Sequence, residues 1–461
     1  MTLIQSISGI RGTIGGKAGE NLTPVDIVRF TAAFGTWLKS KNTEKNKVVI
    51  GRDARLSGLM LSQLVSATLQ GLGIDVVDLG MATTPTVEIA VPEEGAMGGI
   101  ILTASHNPLQ WNALKLLNSC GEFISAKDGE EVLEIAQKGE FEFAEVKKLG
   151  SYSQNDSYLQ KHIEKILALP LVDVEAIRQK NFKIAVDAVN SVGGIAVPAL
   201  LKALGVIQIA EFNCEPTGHF AHNPEPLPEH LIQFSKEIER GNFDLGIAVD
   251  PDVDRLAFIC DNGEPFGEEY TLVAVADYVL KHQKGNTVSN LSSTQALRII
   301  TEKHGQTHFA SAVGEVNVVS VMKQTKAVIG GEGNGGVIYP TLHYGRDALV
   351  GIALFLSHLA KFGKSASILR ATYPKFYMSK NKIELSESIN VDEILEKMQR
   401  KYAKFDISTI DGLKVNFDNA WVHLRKSNTE PIIRIYAEAD TQQTADNLTE
   451  KVILDIRELS K

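Results

Sequence analysis

The sequence predicts three consecutive α/β units, each a mixed sheet covered by helices, followed by a smaller α+β unit around a central cleft. Three observations lead there. The chain has 461 residues, 22% charged and 44% hydrophobic, and at roughly 100–200 residues per domain that length supports three or four separate cores. Short β-branched runs alternate with helical periodicity in three successive series. After about Pro374 the alternation gives way to closely spaced strands with two amphipathic helices.

In the first series residues 47–50 form a β-branched run, 59–72 carry helical spacing, 76–79 are apolar again and 97–103 close another strand. The second repeats the pattern with strands at 182–186, 206–210 and 245–249 and a helix over 195–204. The third places a strand at 256–259, helices over 270–280, 294–303 and 347–362, and a strand at 327–329. Such alternation builds parallel-cored sheets with helices on both faces. The last unit reads as strands at 382–385, 413–417, 421–424 and 432–437 with helices over 391–402 and 441–458. Gly150 to Asn155 suits a linker, so the expected units are residues 1–152, 153–255, 256–375 and 376–461.

The charge balance, 47 Lys and Arg against 56 Asp and Glu for a formal charge of -9, argues against a nucleic-acid partner. No apolar stretch approaches the roughly 20 residues that span a bilayer, so no membrane association is expected. Met1 to Gly12 lacks the basic start, apolar block and small-residue site of a secretory signal. Cys120, Cys214 and Cys260 are few, odd in number and widely spaced, which suits idle thiols in a reducing compartment. A cytoplasmic enzyme, monomeric or homodimeric, is the expectation.

Four polar loops carry chemistry, and ligands in such sheets bind beyond the carboxyl ends of strands. Thr103-Ala104-Ser105-His106-Asn107-Pro108 follows an apolar strand and delivers Ser105 to its tip; the hydroxyl is either a nucleophile or part of an ordinary Ser/Asn turn. No G-x-S-x-G elbow surrounds it. Asp250-Pro251-Asp252-Val253-Asp254-Arg255 places three carboxylates at alternate positions. Coiled, they can converge on one hard cation, Mg²⁺ above all, because so few protein ligands leave room for water or phosphate; the other reading is a solvated acidic turn. Arg255 stands where an EF-hand requires glycine.

Gly331-Glu332-Gly333-Asn334-Gly335-Gly336 satisfies G-x-G-x-x-G formally, yet a β-branched run follows it instead of a helix, which excludes a dinucleotide fingerprint. Glycines around Glu332 and Asn334 suit a loop that grasps sugar hydroxyls, or a tight turn. Arg425-Lys426-Ser427-Asn428-Thr429-Glu430-Pro431, with Arg434 beyond it, gathers guanidinium, hydroxyl and amide donors in the manner of a phosphate receptor.

These four loops, in this order, resemble the α-D-phosphohexomutase family of phosphoglucomutases, phosphomannomutases and phosphoglucosamine mutases over essentially the whole chain. Ser8-Gly9-Ile10-Arg11-Gly12 and Gly51-Arg52-Asp53-Ala54-Arg55-Leu56-Ser57-Gly58 are similar to the family as well. The resemblance implies that Ser105 carries a phosphoryl group and that Asp250, Asp252 and Asp254 bind Mg²⁺ with it. It also implies sugar contacts from Glu332 and Asn334, a phosphate clamp of Arg425, Ser427, Asn428, Thr429 and Arg434, and Arg255 as fixed positive charge. Lys115 and Arg11 become proton-transfer candidates, with His106 positioning substrate. Lys115 is the expected acid/base, its pKa lowered by neighbouring positive charge.

The implied reaction is reversible isomerisation of a hexose phosphate between its 1- and 6-positions, through a hexose 1,6-bisphosphate that turns over in the cleft and also serves as activator. The sugar loop has Asn334 where the family commonly has serine and Gly336 where it has histidine, and His343 offers a substitute imidazole. With Asn223-Pro224-Glu225-Pro226 and Gly314-Glu315-Val316-Asn317-Val318, this form is similar to the phosphoglucosamine mutases and dual-specificity enzymes of the archaeal-like branch, and glucosamine 6-phosphate is the expected substrate. The competing readings are a phosphoglucomutase or phosphomannomutase, a non-catalytic sugar-phosphate-binding protein, and a Mg²⁺ phosphatase with an aspartate nucleophile.

Overall fold

The computed structural model describes residues 2–6, 9–42, 44–384, 390–426 and 432–459. The first unit is a mixed sheet ordered Ile4–Ser6, Gly9–Thr13, Trp111–Leu117, Gly98–Leu102, Lys47–Arg52, Asp75–Met81, Tyr152–Gln154. The last four strands in that order run parallel, and the first three are added antiparallel at one edge. Period-two alternation sorts its core into two layers. Val48 and Ile50 pack with Phe30, Phe34 and Leu61 from the helices Pro24–Lys41 and Gly58–Gly71. Val49 and Ile101 point the other way, against Val87 and Ala90 of the helix Thr84–Glu93.

The second sheet is ordered Leu256–Cys260, Leu245–Val249, Lys183–Asp187, Gln208–Phe212. Its last three strands are parallel, whereas Leu256–Cys260 pairs antiparallel with Leu245–Val249. The expected junction after Arg255 therefore cuts a hairpin, and the acidic loop is the tip of that hairpin. The expected junction at 152 likewise falls inside Tyr152–Gln154, an edge strand of the first sheet that pairs with Val76 to Asp78. Both corrections have one cause: an apolar run reveals that a strand forms, not which sheet takes it up.

The third sheet is ordered His308–Ser311, Thr287–Asn290, Ile329–Glu332, Gly336–Ile338. Its turn between Ile329–Glu332 and Gly336–Ile338 is the glycine-rich loop. At Gly335, φ is +85° and a Cβ would overlap the Leu256 carbonyl oxygen, so only glycine lets the loop close over the second sheet. The fourth sheet, Tyr377–Glu384, Ile432–Ala439, Trp421–Lys426, Leu413–Asn416, Asp406–Ser408, is wholly antiparallel.

One face of the fourth sheet carries Val415, Val422, Leu424, Ile433 and Ile435 into a core with the helices Val391–Lys401 and Gln442–Leu459. The other face carries Lys382, Arg434 and Arg425 in one cross-strand row. That polar face meets the third unit. His423 Nδ1 lies 2.9 Å from Ser292 Oγ, Lys414 donates to the Leu291 carbonyl at 2.7 Å, and the Gln295 N–H donates to Glu438 at 3.0 Å. Among the described residues no helix is long and apolar enough to cross a membrane.

Candidate active site

Ser105 sits at the end of Gly98–Leu102 with φ +48°, and Val253 sits in the acidic loop with φ +63°. A left-handed backbone costs a side-chain-bearing residue about 1–3 kcal/mol and persists where surrounding contacts over-determine it. Arg55 supplies them at Ser105. Wholly buried, it pairs with Asp53 at 3.0 Å and donates to the carbonyl oxygens of Ser105, Asn107, Pro108 and Trp111. Thr103 Oγ1 donates to the same Asp53 and accepts the Ser105 N–H at 2.9 Å. At the acidic loop, Asp250 Oδ1 accepts the N–H groups of Asp254 and Arg255, both at 3.1 Å, and Ser191 and Thr84 hold the carbonyl oxygens of Pro251 and Asp252.

The two strained turns meet. Ser105 Oγ donates to Asp250 Oδ2 at 2.8 Å across 145 residues of sequence. The carboxylates of Asp250, Asp252 and Asp254 each offer an oxygen within 4.8 Å of the others, all buried. Burial and the two neighbouring carboxylates push the Asp250 pKa well up. For Asp252 burial acts upward, but the Lys115 ammonium and the Thr84 hydroxyl outweigh it and hold the pKa below the usual carboxylate range. Asp252 Oδ1 and Asp254 Oδ1 are buried and accept no hydrogen bond from any described residue. Oxygen-only donors with spare buried lone pairs fit Mg²⁺.

Around the triad lies a cavity of about 330 Å³ whose lining includes Arg11, Ser105, His106, Lys115, Arg255, Glu315, Glu332 and Arg346. Lys115 Nζ stands 2.7 Å from Asp252 and 3.6 Å from Asp254. Its pKa runs against the expectation: burial pulls it down, yet the two carboxylates more than offset this and raise it. His106 is the reverse, pushed down to about 2 by burial and by Arg255, so its imidazole is neutral, with Nδ1 3.4 Å from Ser105 Oγ. Burial and Arg255 also lower the pKa of Arg11. Arg255 pairs with Glu225 at 2.8 Å.

Arg346, unnoticed in the sequence, ties the site together. It pairs with Asp254 at 2.7 Å, Glu332 at 2.9 Å and Glu315 at 3.0 Å. Glu332 also accepts from Asn290 and from the Gly314 N–H. The Gly-Arg-Asp ahead of a strongly apolar helix was the available signal. Asn334 departs from its expected role: its side chain accepts the Gly336 N–H at 3.1 Å, closing its own turn, and it does not line the cavity. His343 does not replace an imidazole there either, because it packs against Glu88 and Asp347.

Arg425 and Arg434 sit side by side on the polar face of the fourth sheet, with Arg425 bonded to Asp411 at 2.7 Å. They lie apart from the Ser105 cavity; Arg434 lines a separate one of about 460 Å³ with Lys380 and Lys382. Ser427, Asn428 and Thr429 fall outside the described residues. A cavity of about 710 Å³, lined by Arg298, His308, Lys414 and Trp421 among others, occupies the seam between the third and fourth units, away from the triad.

Residues 3–143, 160–263, 267–376 and 382–454 match in turn the α/β/α domains I, II and III and the C-terminal domain described for phosphoglucomutase/phosphomannomutase. The chain belongs to this family, the α-D-phosphohexomutases. It is accordingly an enzyme of the phosphomutase class. A phosphoglucomutase/phosphomannomutase of Thermococcus kodakarensis is 36% identical over 98% of this chain and 99% of its own length. A phosphoglucosamine/phosphogalactosamine mutase of Sulfurisphaera tokodaii is 33% identical over 96% of this chain and 97% of its own. The crystal structure of a phosphoglucomutase/phosphomannomutase family protein from Burkholderia thailandensis superposes with a TM-score of 0.83 at 25% identity, covering 99% of this chain and 98% of that one.

One buried acid gives this phosphohexomutase a pH signature. Glu269 lies under the glycine-rich loop, where a Cβ on Gly333 would overlap its carboxylate, and it accepts the Thr294 N–H at 2.9 Å. Burial pushes its pKa up from 4.5 to about 8. The folded chain therefore holds a proton that the unfolded chain has released, and stability falls as pH rises between those values. Glu269→Gln should flatten that fall, by on the order of a few kcal/mol at pH 8 relative to pH 5, as read from denaturant midpoints of the two proteins.

Proposed function

We propose that this phosphohexomutase interconverts glucosamine 6-phosphate and glucosamine 1-phosphate through a phosphorylated Ser105 and a 1,6-bisphosphate intermediate. The observation that carries the glucosamine reading is the pair of carboxylates, Glu315 and Glu332, that the third unit contributes to the cavity wall. A 2-ammonium group takes a carboxylate partner more favourably than a neutral hydroxyl does. The second reading, a phosphoglucomutase or phosphomannomutase, rests on the name of the Thermococcus relative.

In the proposed cycle the bond from phosphorus to Ser105 Oγ breaks as the bond to a free sugar hydroxyl forms. The Lys115 ammonium, otherwise paired with Asp252, gives a proton to the released Ser105 Oγ and takes the proton of that hydroxyl in its place. The bisphosphate turns end for end, and the same exchange in reverse returns the other phosphoryl group to Ser105. Asp250, Asp252 and Asp254 would hold Mg²⁺, which supplies the positive charge that phosphoryl oxygens beside three carboxylates demand. His106, neutral at the nucleophile, donates or accepts a hydrogen bond without adding charge. Arg11 and Arg255 present fixed positive charge to the departing phosphoryl group. Arg425 and Arg434, with Ser427, Asn428 and Thr429, would grip the phosphate that is not reacting.

A cytoplasmic setting is part of this reading, and the free thiols Cys120, Cys214 and Cys260 accord with it. The test is a comparison of kcat/KM for the 1- and 6-phosphates of glucosamine, glucose and mannose, with Mg²⁺ and a trace of hexose 1,6-bisphosphate. The glucosamine phosphates should lead by at least about tenfold, the scale of one good polar contact, and Glu315→Gln should remove most of that lead. Equal or higher values for the glucose or mannose phosphates favour the second reading.

A further inference from the structure

We propose a second metal site, for a divalent first-row transition ion such as Zn²⁺, where the first, second and third units meet. Its ligands are His162 Nε2, His343 Nε2 and Asp347 Oδ2. His162 comes from the helix Tyr158–Leu167, and Asp347 is the N-cap of the helix Ala348–Phe362. The three residues offer ligand atoms within 4.8 Å of one another. Asp347 Oδ2 stands 2.8 Å from His162 Nε2 and 3.3 Å from His343 Nε2. Ligand atoms bound at 2.0–2.1 Å in a tetrahedral site are about 3.3 Å apart, and both spacings to Asp347 Oδ2 already lie close to that. The imidazole planes cross at 88°, which lets both ring nitrogens aim at one point from different sides.

The other heteroatom of Asp347 and of His162 is already engaged, and that of His343 faces a carboxylate, an outer shell of the kind metal sites use. Asp347 Oδ1 accepts the N–H groups of Leu349 and Val350. His162 Nδ1 lies 3.0 Å from Thr86 Oγ1. His343 Nδ1 faces Glu88 Oε2 at 3.4 Å, the carboxylate–histidine arrangement that fixes a ligating ring. Glu88 is an independent pointer. It is 2% exposed, and neither of its carboxylate oxygens accepts a hydrogen bond from any described residue. Gly345 lets the loop pass over it, since a Cβ there would overlap Glu88 Oε2. A buried carboxylate is costly without positive charge nearby, and a divalent ion across the His343 ring would add to the pull of Lys115. Two imidazoles select a transition ion over Mg²⁺. Binding displaces the proton shared by His162 and Asp347, which leaves to solvent. The ion would brace the catalytic scaffold from behind: Thr84, two residues before Thr86, bonds Asp252, and the Ala348 N–H bonds the Val253 carbonyl.

The test is Co²⁺ titration of the chelator-stripped full chain in saturating Mg²⁺, for wild type, Asp250→Asn and His343→Ala. Wild type and Asp250→Asn should each take up one equivalent, show two strongly shifted imidazole N–H proton resonances and gain thermal stability. His343→Ala should lose the equivalent and the gain. No uptake by wild type, or full uptake by folded His343→Ala, overturns the site. Should His343→Ala fail to fold, the shifted resonances of the Asp250→Asn protein decide alone, and their absence overturns it.

Discussion

Ser105→Ala is expected to abolish isomerisation, lowering kcat by at least about 10³-fold, the scale seen when a nucleophile acting within a concerted unit is removed. The fold should survive, because the loop is held through the Ser105 N–H and carbonyl, not through Oγ. The hydroxyl's nearer partner is Asp250, whose carboxyl burial and its neighbours already hold well above the ordinary range. Coupled assays for sugar phosphate and for inorganic phosphate separate the rivals. A mutase loses isomerisation and releases almost no phosphate in either form. A phosphatase with an aspartate nucleophile would keep releasing phosphate in Ser105→Ala, and a sugar-phosphate-binding protein would turn over neither before nor after the change.

Arg55→Met should destabilise the chain by about 3–5 kcal/mol, because it strands Asp53 as an unpaired buried charge. Burial already pushes the Asp53 pKa up against the opposing pull of Arg55. The same change removes the donors to four carbonyl oxygens around Ser105, so the left-handed turn there should relax. Denaturant midpoints report the first effect. Faster amide exchange at residues 105 to 111 reports the second, at a site the substitution never touches through solvent.

Much of this was legible because the chemistry sits in polar turns between apolar strands. Asp250, Asp252 and Asp254 stood out between two buried runs, and Ser105 stood at the tip of another. Arg346 did not, since its partners Glu315, Glu332 and Asp254 lie 31, 14 and 92 residues away and no local spacing encodes such a junction. Arg55 was visible only as part of a familiar stretch, its role set by carbonyls more than 50 residues on. The direction of the Lys115 pKa shift is not legible in sequence, because which charge lies nearest the ammonium is a tertiary fact. The helix Pro24–Lys41 has a legible start, Thr23 and Asp26 forming a capping box with Pro24 at the first position, but a weak period. Its face is broad and rich in Ala, Thr and Gly, which blurs the period. His343 follows the sugar loop closely in sequence, whereas the fold turns it toward Glu88 and His162.

The most direct test of the central claim is the mass of the intact chain through one half-cycle. After incubation with glucose 1,6-bisphosphate and Mg²⁺, the account predicts the added mass of one phosphoryl group, localised to Ser105 by peptide mapping. Excess hexose 1-phosphate should then discharge it within the turnover time, with equivalent bisphosphate appearing in solution. A chain that turns over substrate while Ser105 stays unmodified, or a phosphoryl group found on Asp250 or Asp252 instead, would contradict it.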